Sequence, residues 1–91
     1  MKITETRLTS QRQVTGDGVN YHIEGTAIYL GGTNILQQIQ GQVYKMSENE
    51  KIYTGDFRYT SESNQFSMNI PFDQYESAST DIISFINELK Q

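Results

Sequence analysis

The chain has 91 residues, with one histidine, no cysteine and a formal net charge of −4 at pH 7. An acidic protein is repelled by phosphate backbones and by anionic membranes, and a chain without cysteine has neither disulfides nor thiolate metal ligands. We therefore expect no nucleic-acid, membrane or metal partner.

At this length we expect one domain, residues 1–91, with a small hydrophobic core. Hydrophobic residues make up 35% of the chain, below the usual share, which favours further burial by self-association. The opening MKITETRLTSQ has no apolar signal-peptide core, and no run approaches the roughly 18 apolar residues of a membrane span. We therefore expect a cytoplasmic protein.

The first predicted strand covers residues 3–14, where polar residues dominate and apolar side chains alternate only weakly. This pattern is typical of a strand at the edge of a sheet. Such an edge can be solvated, can pair with the same strand of a second copy, or can accept an extended peptide. The sequence does not distinguish these alternatives.

A second strand is predicted over residues 18–30 and a third over residues 35–46, on either side of the sequence GGTN. The alternative is a phosphate-binding loop that opens a helix. Phosphate loops need a longer motif, such as Gly-x-x-x-x-Gly-Lys-Ser/Thr, and Gly31-Gly32 stands alone. A helix would also place Gly41 in its interior, at a cost of about 1 kcal/mol relative to alanine. We therefore predict a turn between two strands.

Two further strands are predicted over residues 51–60 and 64–71, with apolar side chains that alternate most clearly in QFSMNIPF. After Pro71 the apolar residues recur every three or four positions, which predicts an amphipathic helix over residues 74–90. The predicted fold class is α+β: a five-stranded antiparallel β-meander with one C-terminal α-helix packed on one face.

The register of this meander is predicted by keeping every apolar face in phase through the turns. We pair Leu30 with Leu36 around the second turn and Tyr44 with Ile52 around the third. For the fourth turn we predict a two-residue loop at Glu62-Ser63. These pairings place the main apolar side chains of all the strands on one face of the sheet.

The same register aligns three glycines of the second, third and fourth strands, Gly25, Gly41 and Gly55. Glycine in a strand marks a bend or a close approach to the backbone. One interpretation is that the helix packs into a groove over these glycines. The other is a small ligand pocket between helix and sheet. Its candidate lining is these glycines with four tyrosines, Tyr21, Tyr29, Tyr53 and Tyr59.

The opposite face of the predicted sheet is polar at its centre and apolar at both ends. The apolar residues are candidates for an interface between copies: Ile28, Leu30 and Leu36 at one end, and Tyr44 and Ile52 at the other. His22 is predicted beside Tyr44 as a surface residue, and a single histidine without cysteine does not make the usual metal site.

No catalytic, metal or cofactor motif is present in the sequence. The leading hypothesis is a non-enzymatic protein-interaction or assembly module whose partner is itself, as a homodimer or larger, or another protein. One alternative is a small-ligand-binding domain or small enzyme that uses the tyrosine-lined pocket. Another is a chaperone-like protein that holds extended clients on the outer sheet face.

Overall fold

A computed structural model describes residues 3–8, 11–31 and 33–90, with the backbone alone for residues 5–8. The described strands are β1 (Ile3–Leu8), β2 (Gln11–Asp17), β3 (Tyr21–Tyr29), β4 (Leu36–Ser47), β5 (Glu50–Thr60) and β6 (Gln65–Asn69). A 3₁₀ turn (Phe72–Gln74) and helix α1 (Tyr75–Leu89) follow. The fold is α+β, with the described strands in one antiparallel sheet ordered β1 to β6.

The prediction of five strands was wrong, because the first predicted strand is two strands, β1 and β2. They pair with each other from Ile3 opposite Gly16 to Leu8 opposite Gln11. The sequence between them is Thr9-Ser10, which contains no glycine, proline or asparagine and is only a weak turn signal. Residues 9 and 10 lie outside the described residues. The edge position predicted for the start of the chain holds for β1.

The segment after the glycine pair is strand β4, which confirms the prediction of a turn rather than a phosphate loop. Both the backbone N–H and the hydroxyl of Thr33 donate to the carbonyl of Leu30, at 2.9 and 2.7 Å. Along most of its length β4 pairs with β3 in the predicted register, for example with Ala27 opposite Ile39. The predicted register of β6 against β5 is also observed.

Two β-bulges separate the observed registers from the predicted ones, one at Gln37 in β4 and one at Thr54 in β5. The loop between these strands is Glu48-Asn49, where both residues have positive φ, 48° and 70°, as in a type I′ turn. Because of this two-residue loop, the residues of β5 before the bulge, such as Ile52 and Tyr53, point to the side of the sheet opposite to the predicted one. The bulge at Thr54 reverses them back, so the predicted faces hold from Gly55 onward.

Relative to the predicted pairing, the loop and the bulge together shift β5 by two residues along β4. Gly25 lies opposite Gly41 as predicted, but Gly41 faces Phe57, and Gly55 faces Val43. The predicted row of three glycines is therefore wrong, and two glycines lie in line.

Helix α1 packs over β3 and β4, close to the predicted bounds of 74–90. The space between helix and sheet is filled by large side chains with less than 2% exposure: Phe85, Ile23, Ile39, Ile82, Val14 and Val43. Phe85 of the helix meets Phe57 of β5 edge to face, with ring centroids 6.4 Å apart. Within the described residues, no helix has the length and apolar character to cross a membrane.

Candidate functional site

The sheet face opposite α1, here called the outer face, carries polar side chains in rows that cross the strands. Such rows form because residues paired across antiparallel strands point to the same face. One row crosses β2 to β6 as Gln13, Thr26, Gln40, Arg58 and Ser67. The next row crosses β3 to β6 as Glu24, Gln42, Asp56 and Asn69. These nine residues form the polar centre of the outer face.

An open groove of about 720 Å³ runs between the two rows and is lined by both of them. We call it the polar trough. Since neighbouring strands are about 4.8 Å apart and residues about 3.4 Å, the trough is about 19 Å long with about 7 Å between its rows. It crosses the strands instead of following one of them.

The backbone of Gly25 and Gly41 also lines the trough. A Cβ on Gly41 would overlap the carbonyl of Glu24 and lie 2.8 Å from the Cα of Gly25, and a Cβ on Gly25 would lie 2.8 Å from the carbonyl oxygen of Gln40. The two strands thus approach each other more closely here than side chains allow. Glycine at both positions permits the bend at the centre of the sheet.

The charged groups of the trough are largely balanced by hydrogen bonds. Arg58 donates to the Gln40 amide oxygen at 2.9 Å. Glu24 accepts from the Lys51 ammonium at 2.6 Å, and its carboxylate lies 2.9 Å from Nε2 of His22. The hydrogen bond from Lys51 is the largest effect on the Glu24 carboxyl and lowers its pKa, although desolvation acts in the opposite direction. The same contact raises the pKa of Lys51.

Beyond the trough, the next row of the outer face is aromatic and consists of His22, Tyr44 and Tyr53. The Tyr44 ring lies 6.2 Å from the His22 ring and 6.1 Å from the Tyr53 ring, centroid to centroid. Tyr53 is 58% exposed, and its hydroxyl donates to Asp56 at 3.3 Å. Desolvation, followed by the negative charge of Asp56, raises the pKa of Tyr53. The aromatic row thus lies beside the trough with Tyr53 as its exposed ring, while His22 and Tyr44 are half-buried.

The four tyrosines predicted to line a pocket do not come together. Tyr21, Tyr29 and Tyr59 are buried on the helix side, where the Tyr21 hydroxyl donates to Gln74 at 3.1 Å. Tyr53 lies on the outer face instead, because the Thr54 bulge and the short loop make it the partner of Tyr44. Its predicted position beneath the helix is therefore wrong.

The predicted interface residues are also divided between the two faces. Ile28 and Tyr44 are on the outer face, and Leu30 is exposed at the same end as Ile28. Leu36 is 4% exposed in the core opposite Tyr29, because the Gln37 bulge reverses its direction. Ile52 faces the helix side, in the row that contains Lys45. The outer positions predicted for Leu36 and Ile52 are therefore wrong.

Asp81 is a structural residue that the sequence prediction missed. It is 3% exposed on the buried side of α1, and its carboxylate accepts from the backbone N–H groups of Val19, Asn20 and Tyr21 at 3.1, 2.9 and 3.1 Å. A Cβ on Gly18 would overlap this carboxylate. An acidic residue within the apolar stripe of the helix, three residues after Ala78, was the available signal.

Arg12 is a second buried polar residue that the prediction missed. Its guanidinium lies 3.9 Å from the centroid of the Tyr29 ring and donates to the Asn34 side chain at 2.9 Å. Arg12 lies two residues before Val14 in β2 and therefore points to the same side of the sheet, the helix side, where it is 8% exposed. The alternation of side chains along the strand indicated which face Arg12 occupies, but an arginine at a core position was not expected.

Two groups of side chains on the outer face therefore offer distinct chemistry. The polar trough offers amides, hydroxyls and balanced charges, and the aromatic row offers the exposed ring of Tyr53. Comparison with protein-family models, with curated proteins and with solved structures finds no match for this chain.

Proposed function

We propose that this protein is a non-enzymatic interaction module that self-associates through the aromatic end of its outer face. The observation that carries the proposal is that Tyr53 and Met46 are exposed beside the half-buried Tyr44 on a face that α1 leaves uncovered. Tyr53 and Met46 are 58% and 47% exposed. Tyrosine and methionine are enriched in the cores of protein interfaces.

The charges around the aromatic row favour a second copy as the partner. Along β5, Lys51 lies on one side of Tyr53 and Asp56 on the other. When two outer faces meet, a two-fold axis that runs parallel to the sheets, across the strands at the Tyr44–Tyr53 pair, would bring Lys51 of one chain towards Asp56 of the other. Such self-complementarity is what a two-fold symmetric interface requires.

The size of the domain favours the same conclusion. A domain of about this length buries only about 60–65% of the surface of its unfolded chain, so its stability margin is narrow. Covering the exposed aromatic rings in a dimer would add apolar burial at roughly 25 cal/mol per Å².

The geometry gives less support to the two alternative functions. The pocket beneath the helix would need the tyrosine rings as its lining, but Tyr21, Tyr29 and Tyr59 are packed in the core. Extended protein clients would need apolar anchor sites, and the trough presents mainly amides, hydroxyls and charges. We therefore retain self-association as the proposed function.

The experiment is light scattering coupled to size exclusion, with the wild type and Tyr53→Lys compared over a range of micromolar concentrations. We expect the wild type to approach twice the 10.4 kDa of one chain as concentration rises. The variant should stay monomeric, because it places a charge in the centre of the interface.

Ile83→Lys is the matched control, since Ile83 is an apolar residue of similar exposure, 47%, on α1. It should self-associate like the wild type. A wild type that remains at 10.4 kDa throughout, or a control that dissociates as Tyr53→Lys does, would contradict the proposal.

A further inference from the structure

The polar trough has a composition that differs from an ordinary solvated sheet face. Its side chains are mainly carboxamides and hydroxyls, including Gln13, Gln40, Gln42 and Asn69. Lysine, the common charged residue of exposed strands, is missing from the lining. Carboxamides both donate and accept hydrogen bonds, as the hydroxyls of a sugar do. The chemistry of the trough therefore suits an uncharged ligand rich in hydroxyl groups.

The spacing of the trough indicates a linear ligand with a short repeat. Each of strands β3 to β6 contributes one side chain to each row, so a pair of polar groups recurs at the strand spacing of about 4.8 Å. One pyranose unit of an extended, equatorially linked chain advances by nearly this distance. An extended peptide would instead present same-side residues at about 6.6 Å, out of step with the strands.

The charges of the trough agree with an uncharged ligand. Glu24 is held by Lys51 at 2.6 Å and approached by His22 at 2.9 Å. Arg58 donates a hydrogen bond to the Gln40 amide oxygen at 2.9 Å, and its row is next to the row that contains Asp56. A strongly anionic ligand would meet the Glu24 and Asp56 carboxylates, and a strongly cationic one would meet Arg58.

We propose that the polar trough binds a linear, uncharged oligosaccharide of equatorially linked pyranoses, about four units long. The paired side chains of successive strands flank successive units, with the amides of Gln40 and Gln42 at the centre of the site. The exposed ring of Tyr53 lies one row beyond and provides an apolar surface for the C–H face of a sugar. This proposal does not rest on the proposed self-association, although the two surfaces share Tyr53 and Asp56.

The test is a titration followed by NMR chemical shifts, with cellohexaose, mannohexaose and N-acetylchitohexaose as equatorially linked probes and maltohexaose as the axially linked comparison. We expect at least one of the first three to shift trough residues with a Kd of about 1 mM or tighter, and maltohexaose to bind at least about tenfold more weakly.

The variant Gln40→Ala/Gln42→Ala should weaken that binding at least about tenfold, because it removes the central amides. Gln11→Ala/Gln65→Ala is the matched control: it removes two amides from the same face outside the trough and should bind as the wild type does. Thermal unfolding of both variants checks that each is folded. Tyr53→Lys should retain at least part of the affinity even where it is monomeric, which separates this proposal from self-association.

Four outcomes would overturn the proposal. They are no shift in the trough with any of the three probes at about 10 mM, equal binding of maltohexaose, unchanged affinity in Gln40→Ala/Gln42→Ala, or an equal loss in the control variant.

Discussion

At the scale of single residues, Asp81 holds the turn between β2 and β3 against the helix. Three backbone N–H groups of residues 19–21 donate to its carboxylate, and Gly18 leaves the space that the carboxylate occupies. Hydrogen bonds to a charged acceptor each contribute about 1.5–3 kcal/mol, and unsatisfied donors are costly where water does not reach them. Asp81 therefore links two elements that are far apart in sequence.

We predict that Asp81→Asn lowers the free energy of unfolding by about 2–3 kcal/mol and that Asp81→Ala lowers it further. The amide keeps the shape of the side chain but removes its charge and presents N–H groups where an acceptor is needed. Urea unfolding followed by circular dichroism measures the effect.

Asp73→Asn provides the control for Asp81→Asn, because Asp73 is an exposed acid just before the helix and the charge change is the same. Its unfolding free energy should stay within about 0.5 kcal/mol of the wild type. An Asp81→Asn variant as stable as this control would contradict the role given to Asp81.

Some residue positions could be predicted from the sequence and others could not. Alternation placed Val14, Ile23 and Ile39 in the core correctly, because a strand face is set by position parity. Asp81 and Arg12 could not be placed in the same way. Their burial depends on partners distant in sequence, the turn of residues 18–21 and the Tyr29 ring.

At the scale of elements, the close approach of β3 and β4 at two facing glycines shapes the sheet. A side chain at Gly41 would collide with the backbone of β3 rather than with a flexible side chain. The strands would have to separate, which would disturb both the ladder and the trough above it.

We predict that Gly41→Ala destabilises the protein by about 3 kcal/mol or more, as measured by chemical unfolding. Gly31→Ala is the control, since a Cβ there has no described atom within 4 Å and the change should be close to neutral. Equal stability of the two variants would show that β3 and β4 do not approach as described.

The strands and the helix could largely be predicted, but the bulges could not. The turn at GGTN and the helix after Pro71 followed from local signals. The bulges at Gln37 and Thr54 have no such signal, and each cancels a parity change made by its hairpin loop. The faces were therefore predicted correctly over most of each strand, while Leu36, Ile52 and Tyr53, next to the bulges, were not.

At the scale of the whole molecule, helix α1 covers one face of the sheet, and no other described element covers the opposite face. The outer face collects the polar trough in its centre and the aromatic row at one end. The trough was not predicted as a site, and of the aromatic row only Tyr44 was predicted as an interface residue, because both groups depend on the register of β5. The Thr54 bulge sets that register: it aligns Asp56 and Arg58 with the rows of β4 and turns Tyr53 outward.

The most direct test of this arrangement is a set of nuclear Overhauser effects from the Tyr53 ring in solution. We expect contacts to the Tyr44 ring on the outer face and none to the side chains of α1. Contacts from Tyr53 to Val43 and to Ile82 of the helix would show a continuous β5 without the bulge. That result would contradict the outer face on which both proposals depend.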